Sequence, residues 1–268
     1  MRNILIKILL LLLIISGADA QDSKKIAYSS TNSANGFLQI FSMDTNGTNN
    51  KQLTRMKTNC YNPKWSPDGK SIVFQTDNEE LYLIKNVDST EFDPFYLYKG
   101  SNPIFTHDGQ NIIFNSEYKG YLSIYYMQPD DIEPSTFELD GYSNQQVLSK
   151  DDSKMIFSSF DMGSKSVFLM DLNPSNDTDD IIFQISENTN SNLEPDISSD
   201  NNMFAYASFN SELKGTIYVN IDGKEKPITK GSSWTKPKFS PDDSKLACLN
   251  ITDEENVKLF VMDLDGGN

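Results

Sequence analysis

The stretch NPKWSPDGKSIVF, Asn62 to Phe74, decides the fold. Its two ends alternate apolar and polar residues as β-strands do, and the Ser-Pro-Asp-Gly between them is a tight-turn sequence. Pro67 fixes φ at one turn position, Asp68 can accept hydrogen bonds from nearby backbone N–H groups, and Gly69 can adopt a positive φ. The stretch therefore predicts two antiparallel strands joined by a turn, and we interpret Asp68 as a turn residue rather than a catalytic one.

The same unit recurs along the chain. An aspartate is followed four to six residues later by an apolar triplet in six places, spaced 40 to 49 residues apart. These aspartates are Asp22, Asp68, Asp108, Asp151, Asp200 and Asp242. Each period contains four short strand-like stretches separated by turn residues, which is typical of a propeller blade. The sequence predicts an all-β fold, a β-propeller of six four-stranded blades, with a β-sandwich as the alternative.

Counting strands predicts that the ring is incomplete. With the strands of a blade labelled a to d, the sequence contains six b and six c strands, but five a and five d strands. The first a strand and the last d strand are the two that are missing. Unpaired strand edges are usually avoided, so we expect the propeller domain, residues 21–268, to be truncated, and the polypeptide to continue past Asn268 by about twenty residues. An open ring, or one completed by oligomerisation, is the alternative.

The first twenty residues are predicted to be a cleaved signal peptide. A basic start precedes an apolar core from Ile8 to Ile15, and Ala18-Asp19-Ala20 supplies the small residues that signal peptidase requires. The apolar run is too short to span a bilayer. The mature chain should therefore begin at Gln21 and be periplasmic or secreted.

Composition argues against several classes of function. The net charge of −15 disfavours nucleic-acid and membrane-surface partners. His107 is the one histidine and there is no Gly-x-Ser-x-Gly motif, which excludes a Ser-His-Asp hydrolase and a multi-histidine metal site. The 38 acidic residues leave a two-carboxylate glycosidase open. We assign no catalytic, cofactor-binding or metal-binding residue.

Two short motifs resemble the start of a calcium loop. MDLDGG from Met262 and MDTNGT from Met43 both alternate oxygen-bearing residues before a glycine, but neither has the glutamate that such a loop needs at its twelfth position. We interpret both as c-to-d turns, expect no cofactor, and leave weak calcium binding open. Cys248 stands at an apolar position of a b strand, and Cys60 in the segment entering the second blade, so we interpret both as free thiols rather than a disulfide.

The unit IFSMDTNGTNNKQLTRMKTNCYNPKWSPDGKSIVF, Ile40 to Phe74, resembles the WD-type propeller repeat of the TolB-like family, and the pattern covers the mature chain. The copies at Asp151 and Asp200 lack the proline and glycine of the turn, and Gln146 replaces the proline that precedes the turn in other blades. The resemblance implies a cell-envelope protein whose partner is another protein, such as a peptidoglycan-associated lipoprotein. The sequence has no counterpart of that family's small N-terminal domain.

The loops between b and c strands and between d and a strands differ in every blade, whereas the turns at the other end are stereotyped. Divergent loops on a rigid scaffold are the usual arrangement for recognition. The aromatic residues expected to bind a protein there are Tyr61, Tyr118, Tyr121, Phe160, Phe209 and Trp234.

The sequence thus predicts an exported, non-catalytic protein-binding module. One alternative is an enzyme, either a carboxylate-based glycan-active propeller or the propeller portion of a longer peptidase. Another is a calcium-dependent structural protein.

Overall fold

The computed structural model describes residues 25–89, 93–137, 139, 141–161, 164–173, 181–231, 233–253 and 256–267. The predicted signal peptide and the first anchor, Asp22, lie outside these residues. The described residues form 22 β-strands in six antiparallel sheets, which we number as blades 1 to 6. They contain no helix, and so none that could cross a membrane. The fold is a six-bladed β-propeller, as the repeat predicted.

Two compact units divide the blades. The first unit, residues 1–138, holds blades 1 to 3. Blade 1 consists of β1 (Lys25–Ser30), β2 (Gln39–Asp44) and β3 (Lys51–Gln52); blade 2 of β4 (Cys60–Trp65), β5 (Ile72–Thr76), β6 (Glu80–Ile84) and β7 (Phe95–Lys99); and blade 3 of β8 (Ser101–Phe105), β9 (Ile112–Tyr118), β10 (Tyr121–Met127) and β11 (Ser135–Thr136).

The second unit, residues 139–268, holds blades 4 to 6. Blade 4 consists of β12 (Tyr142–Leu148), β13 (Lys154–Asp161), β14 (Ser164–Asp171) and β15 (Ile182–Gln184); blade 5 of β16 (Ser191–Ile197), β17 (Met203–Phe209), β18 (Gly215–Ile221) and β19 (Lys224–Pro227); and blade 6 of β20 (Ser233–Phe239), β21 (Lys245–Asp253) and β22 (Asn256–Asp263). Within the described residues, blade 1 contains strands b, c and d and blade 6 contains a, b and c, in agreement with the strand count.

Asp68 closes the a-to-b turn of blade 2. Ser66 donates its hydroxyl hydrogen to the Asp68 carboxylate at 2.6 Å, and the same carboxylate oxygen accepts the Lys70 N–H at 3.0 Å. The Ser66 hydroxyl oxygen in turn accepts the Ser71 N–H at 2.9 Å, while Gly69 takes a φ of 68°. The turn therefore uses the aspartate as an acceptor for its own chain, as predicted.

The other four described a-to-b turns repeat these bonds. A serine or threonine donates to the aspartate two residues later at 2.6 to 2.7 Å in each of them. The pairs are Thr106 with Asp108, Ser149 with Asp151, Ser198 with Asp200, and Ser240 with Asp242. Where glycine is missing, Asp152, Asn201 and Asp243 adopt the positive φ in its place, at 56°, 63° and 57°. Asp and Asn tolerate this conformation better than other side chains, so the turn survives the loss of its glycine.

A β-bulge interrupts every described a strand, and the sequence analysis did not predict it. The pairing between strands a and b shifts register at one place in each of the five blades that contain an a strand. At each shift one non-glycine residue has a φ between 52° and 60°. These residues are Asn62, Asn102, Gln145, Glu194 and Lys236. Such strained positions persist only where neighbouring structure holds them.

Side chains at the bulges bind the backbone of the following blade in the second unit. The Gln145 Oε1 accepts the Glu194 N–H at 2.9 Å, and the Glu194 Oε2 accepts the Lys236 N–H at 2.8 Å. Thr235 also donates its hydroxyl hydrogen to Glu194. Two residues further along β16, the pattern repeats, since Asp196 accepts the Phe239 N–H at 2.8 Å. Blades 4, 5 and 6 are thus linked through their first strands.

Hydrophobic cores lie between successive blades of each unit. Alternate residues of β5 point to opposite faces of its sheet, so Ile72 and Phe74 pack against Ile40 of blade 1, while Val73 packs against Phe114 of blade 3. In the second unit, blades 5 and 6 share a core that contains Cys248. Strand β5 therefore contributes side chains to the cores on both of its faces.

Both cysteines are free and fully buried. Burial raises the pKa of the Cys60 thiol to about 11, and that of the Cys248 thiol to about 12. The thiolate is the reactive form, so both should be inert in the folded protein.

We expect the native protein to react with a water-soluble thiol reagent at least about 100-fold more slowly than the denatured protein. Denaturant without reductant should release two reactive thiols per chain. A colorimetric thiol titration measures both. A native chain with one fast thiol, or a denatured chain with none, would contradict this.

Replacing Asp68 by Asn should lower the free energy of unfolding by about 0.5–1 kcal/mol at pH 7, because a neutral amide accepts the turn's hydrogen bonds more weakly at this exposed site. The hydrogen bond from Ser66 lowers the pKa of Asp68 in the folded state. Its contribution is therefore fully present above the ordinary carboxyl pKa of about 4 and is lost as the pH falls through the lower, folded value.

Urea unfolding of wild type and variant from pH 7 to pH 2 tests this. The difference between the two proteins should shrink as the pH falls below about 4. Glu133→Gln, at an exposed loop position, is the control and should show no such pH dependence. A difference that grows in acid would refute the assignment.

Candidate functional site

Buried amide side chains fix the loops at the b-to-c end of the first unit. Gln39, the first residue of β2, is fully buried. Its Nε2 donates to the backbone oxygens of Met56 and Thr58 at 3.2 and 3.0 Å, and its Oε1 accepts the Met56 N–H at 2.8 Å. One side chain thus holds residues 53–59, which connect β3 to β4.

Asn59 joins three loops of the first unit. Its Oδ1 accepts the Leu38 N–H at 2.8 Å, at the end of the loop between β1 and β2. Its Nδ2 donates to the Asp77 carboxylate at 2.6 Å, in the loop between β5 and β6. Asn35 adds a bond to the Met56 carbonyl oxygen at 2.8 Å. The backbone of these loops is therefore held in place by the protein's own side chains.

Asparagine side chains also hold the backbone of a loop in the second unit, the one between β15 and β16. Asn192, fully buried, donates to the backbone oxygens of Asn188 and Asn190 at 3.2 and 3.1 Å. The Asn188 side chain accepts the Ser208 hydroxyl hydrogen at 3.0 Å and donates to Glu225 at 2.7 Å. The closely spaced asparagines at 188, 190 and 192 are visible in the sequence, but the sequence analysis assigned them no role.

Three of the six predicted aromatic residues pack onto the sheets. The Tyr61 hydroxyl donates to the Thr76 carbonyl oxygen at 3.2 Å, and partial burial, with Asp77 nearby, raises its pKa. Trp234 meets Phe260 edge-on at 5.2 Å between ring centres and donates its indole N–H to the Lys230 carbonyl oxygen. Phe209 packs against the core between blades 5 and 6.

The remaining three lie at strand ends. Tyr121 opens β10 and is 48% exposed. Tyr118 closes β9 opposite it, with its side chain outside the described residues. Lys119 and Gly120 between them both have positive φ, 50° and 84°, as a two-residue hairpin turn requires. Phe160, near the end of β13, is 40% exposed.

The structure adds Tyr142, which the sequence did not single out. It lies directly across the strand pair from Phe160 and is 48% exposed. A Cβ on the preceding Gly141 would approach the Phe160 carbonyl oxygen to 2.5 Å, so glycine lets the two strands meet here. Tyr142 and Phe160 form an exposed aromatic pair at the loop end of blade 4.

Large exposed apolar side chains also occur on the outer strands, where none was predicted. They are Phe95 and Tyr96 on β7, Ile182 and Phe183 on β15, and Leu259 and Val261 on β22. Exposure at these positions depends on what covers each strand, which strand alternation alone does not reveal.

The carboxylates of the two calcium-like motifs serve their own turns. The Asp44 carboxylate accepts from the Thr48 hydroxyl at 3.1 Å and from the Asn49 amide at 2.6 Å. Asp263 pairs with Lys245 at 2.5 Å, and Asp265 accepts the Gly267 N–H at 2.9 Å. Across the described part of the chain, no three His, Cys, Asp or Glu side chains gather as metal ligands would.

Six blades with stereotyped a-to-b turns define the class of this fold, a β-propeller. Residues 11–181 match the family model described as TolB beta propeller domain. The chain belongs to this family.

Solved structures share the fold at low sequence identity. A protein described as TolB from Agrobacterium tumefaciens is 19% identical with a TM-score of 0.64, and the match covers 82% of each chain. TolB from Acinetobacter baumannii is 21% identical with a TM-score of 0.65, over 90% of this chain and 61% of that one. An oligogalacturonate lyase from Vibrio parahaemolyticus is 12% identical with a TM-score of 0.66, over 90% and 74%. At such identities the likeness shows the fold alone. Among curated proteins, none matches the sequence significantly.

Gln39→Ala should destabilise the protein by about 2–3 kcal/mol, because it removes a fully buried side chain together with its hydrogen bonds to the Met56 N–H and the Thr58 carbonyl oxygen. Urea unfolding measures the loss, and hydrogen exchange should show faster exchange at the Met56 amide. Gln110→Ala, at an exposed turn position, is the control and should change neither quantity. Unchanged exchange at Met56 would show that Gln39 does not fix the loop.

Proposed function

We propose that this protein is an exported, non-catalytic module that binds another protein through the loop ends of its blades. The observation that carries the proposal is the combination of fixed loops and exposed aromatic rings at the same strand ends. In the first unit, Gln39 holds the backbone of residues 53–59, and Tyr121 is exposed at the start of β10. In the second unit, Asn192 holds the backbone of the loop between β15 and β16, and Tyr142 and Phe160 are exposed at the loop end of blade 4. A surface ordered before binding loses little conformational entropy on association, and aromatic anchors supply most of the binding energy in such interfaces.

The proposed location is the periplasm or the cell exterior, where a bacterial envelope protein would meet the module. The signal-like first twenty residues support export, and membership of the TolB beta propeller family supports an envelope partner. A peptidoglycan-associated lipoprotein is the type of partner we propose. The net charge of −15 favours a partner with a basic contact surface.

An enzymatic role has less support. Structural neighbours include prolyl endopeptidases and the oligogalacturonate lyase, at 13% and 12% identity, which extends to the fold only. This chain spans 41% of the endopeptidase. The carboxylates discussed above accept hydrogen bonds from, or form ion pairs with, groups of the protein itself. Turnover of any substrate in a panel of glycans and peptides would overturn the non-catalytic proposal.

Capture from envelope extract followed by direct affinity measurement tests the binding proposal. The purified protein should retain an envelope protein, identified by mass spectrometry, and bind it in purified form. Phe160→Ala and Tyr142→Ala should each weaken that affinity about 10-fold. Phe183→Ala removes an equally exposed ring from the outer strand of the same blade and is the matched control.

Equal affinities for all three variants and wild type would show that the loop end of blade 4 is not the contact surface. Circular dichroism of each variant establishes that the fold is retained.

A further inference from the structure

The turn after β2 contains an asparagine that serves the turn with its oxygen alone. The Asp44 N–H donates to the Thr48 carbonyl oxygen, and the Gly47 N–H donates to the Asp44 carbonyl oxygen, both at 2.9 Å. The Asn46 Oδ1 accepts the Thr48 N–H at 3.0 Å and lies 2.7 Å from the Thr48 hydroxyl, which shares its hydrogen with Asp44. The Asn46 Nδ2 donates to none of the described residues.

The turn after β22 has the same backbone without these side-chain groups. The Asp263 N–H donates to the Gly267 carbonyl oxygen, and the Gly266 N–H donates to the Asp263 carbonyl oxygen, again at 2.9 Å. An Asp265 carboxylate oxygen accepts the Gly267 N–H at 2.9 Å, as Asn46 does in the first turn. Glycine stands where the first turn has threonine. The amide nitrogen and the hydroxyl of the first turn are therefore not required to form it.

These two groups belong to a triplet that enzymes modify. Asn-Gly-Thr at residues 46–48 is an acceptor sequence for N-linked glycosylation, Asn-X-Ser/Thr, and two more such triplets begin at Asn176 and Asn250. Asn176 lies outside the described residues, and Asn250 is 4% exposed within β21. Asn46 is exposed, and a Cβ on Gly47 would meet no other part of the chain within 4 Å. Of the described triplets, that of Asn46 is the accessible one.

We propose that Asn46 is a site of N-linked glycosylation. The proposal rests on the proposed export, because the donor is an oligosaccharide carried as a pyrophosphate ester on a membrane lipid. The Asn46 Nδ2 attacks the anomeric carbon of the donor sugar, and a C–N bond replaces the C–O bond to pyrophosphate. The lipid pyrophosphate leaves with the bonding electron pair, and a proton passes from the nitrogen to a basic group of the transferase.

The glycan would lie far from the loops of its own blade. Gln39, which fixes the loop backbone, and Asp44, which begins the turn, are the two ends of β2. A strand of this length spans about 17 Å. The glycan would therefore add a hydrophilic cover at the turn end of blade 1 and leave the loop end of that blade accessible to a protein partner.

Transfer to the purified, folded chain tests the proposal. The protein is incubated with a bacterial oligosaccharyltransferase and its lipid-linked oligosaccharide, and its peptides are mapped by mass spectrometry. We expect the peptide that contains Asn46 to gain the mass of one oligosaccharide. Thr48→Ser should keep the modification, whereas Thr48→Ala should reduce it at least about 10-fold. Asp265→Asn is the matched control, because it places an amide in the second turn without the threonine, and that turn should stay unmodified.

Three results would contradict the proposal. One is an unmodified Asn46 in a reaction that glycosylates a control acceptor peptide, and another is equal modification of Thr48→Ala and wild type. The third is a glycan on the second turn of Asp265→Asn, which would show that an exposed amide suffices. Because the transferase is supplied to the purified chain, failure here would count against the acceptor site and leave the proposed export and protein binding intact.

Discussion

The hydrogen bond from a serine or threonine hydroxyl to the aspartate two residues later is the interaction on which the rest of the structure depends. In the turn between β4 and β5, the Ser66 hydroxyl donates to Asp68 and accepts from the Ser71 N–H, so one oxygen fixes both ends of the turn. This sets the register of strands a and b. Since neighbouring residues of a strand face opposite sides, register decides which side chains enter which core. Ile72 and Phe74 reach one core and Val73 the other only because the turn begins where it does.

The fold could be predicted because its determinants are local and repeated. Asp68 and its counterparts accept hydrogen bonds from N–H groups two residues later in the chain. A short stretch of sequence therefore contains both partners of each bond, and the turn can be recognised from that stretch alone. Even the turn at Asp151, which has neither proline nor glycine, keeps its geometry through Asp152 in the left-handed region. The bulges could not be predicted, because Gln145, Glu194 and Lys236 are held at positive φ by bonds to other blades rather than by their own preferences.

The candidate site was predicted in part. Residue type and loop position identified the aromatic residues, but exposure depends on packing between distant segments. Trp234 is partly covered because Phe260, on another strand, contacts its ring, whereas Phe160 is 40% exposed. Tyr142 could be recognised as part of the candidate site only from the structure, which pairs it with Phe160 across two strands. The sequence is rich in asparagine, but it does not show which amide side chains hold the loops. Their hydrogen-bond partners are backbone atoms, which every residue has, so no residue pattern identifies them.

The bulge side chains of the second unit have a consequence for how such a chain evolves. Gln145 accepts from the backbone of Glu194, and Glu194 accepts from the backbone of Lys236, so blades 4 and 5 each carry an acceptor for the backbone of the next blade. Blades that arose by duplication would at first have been interchangeable. Once these side chains differ, exchanging or deleting a single blade breaks a contact on each side of it. The unit that is inherited is then the junction between two blades, and recombination should preserve neighbouring pairs rather than single repeats.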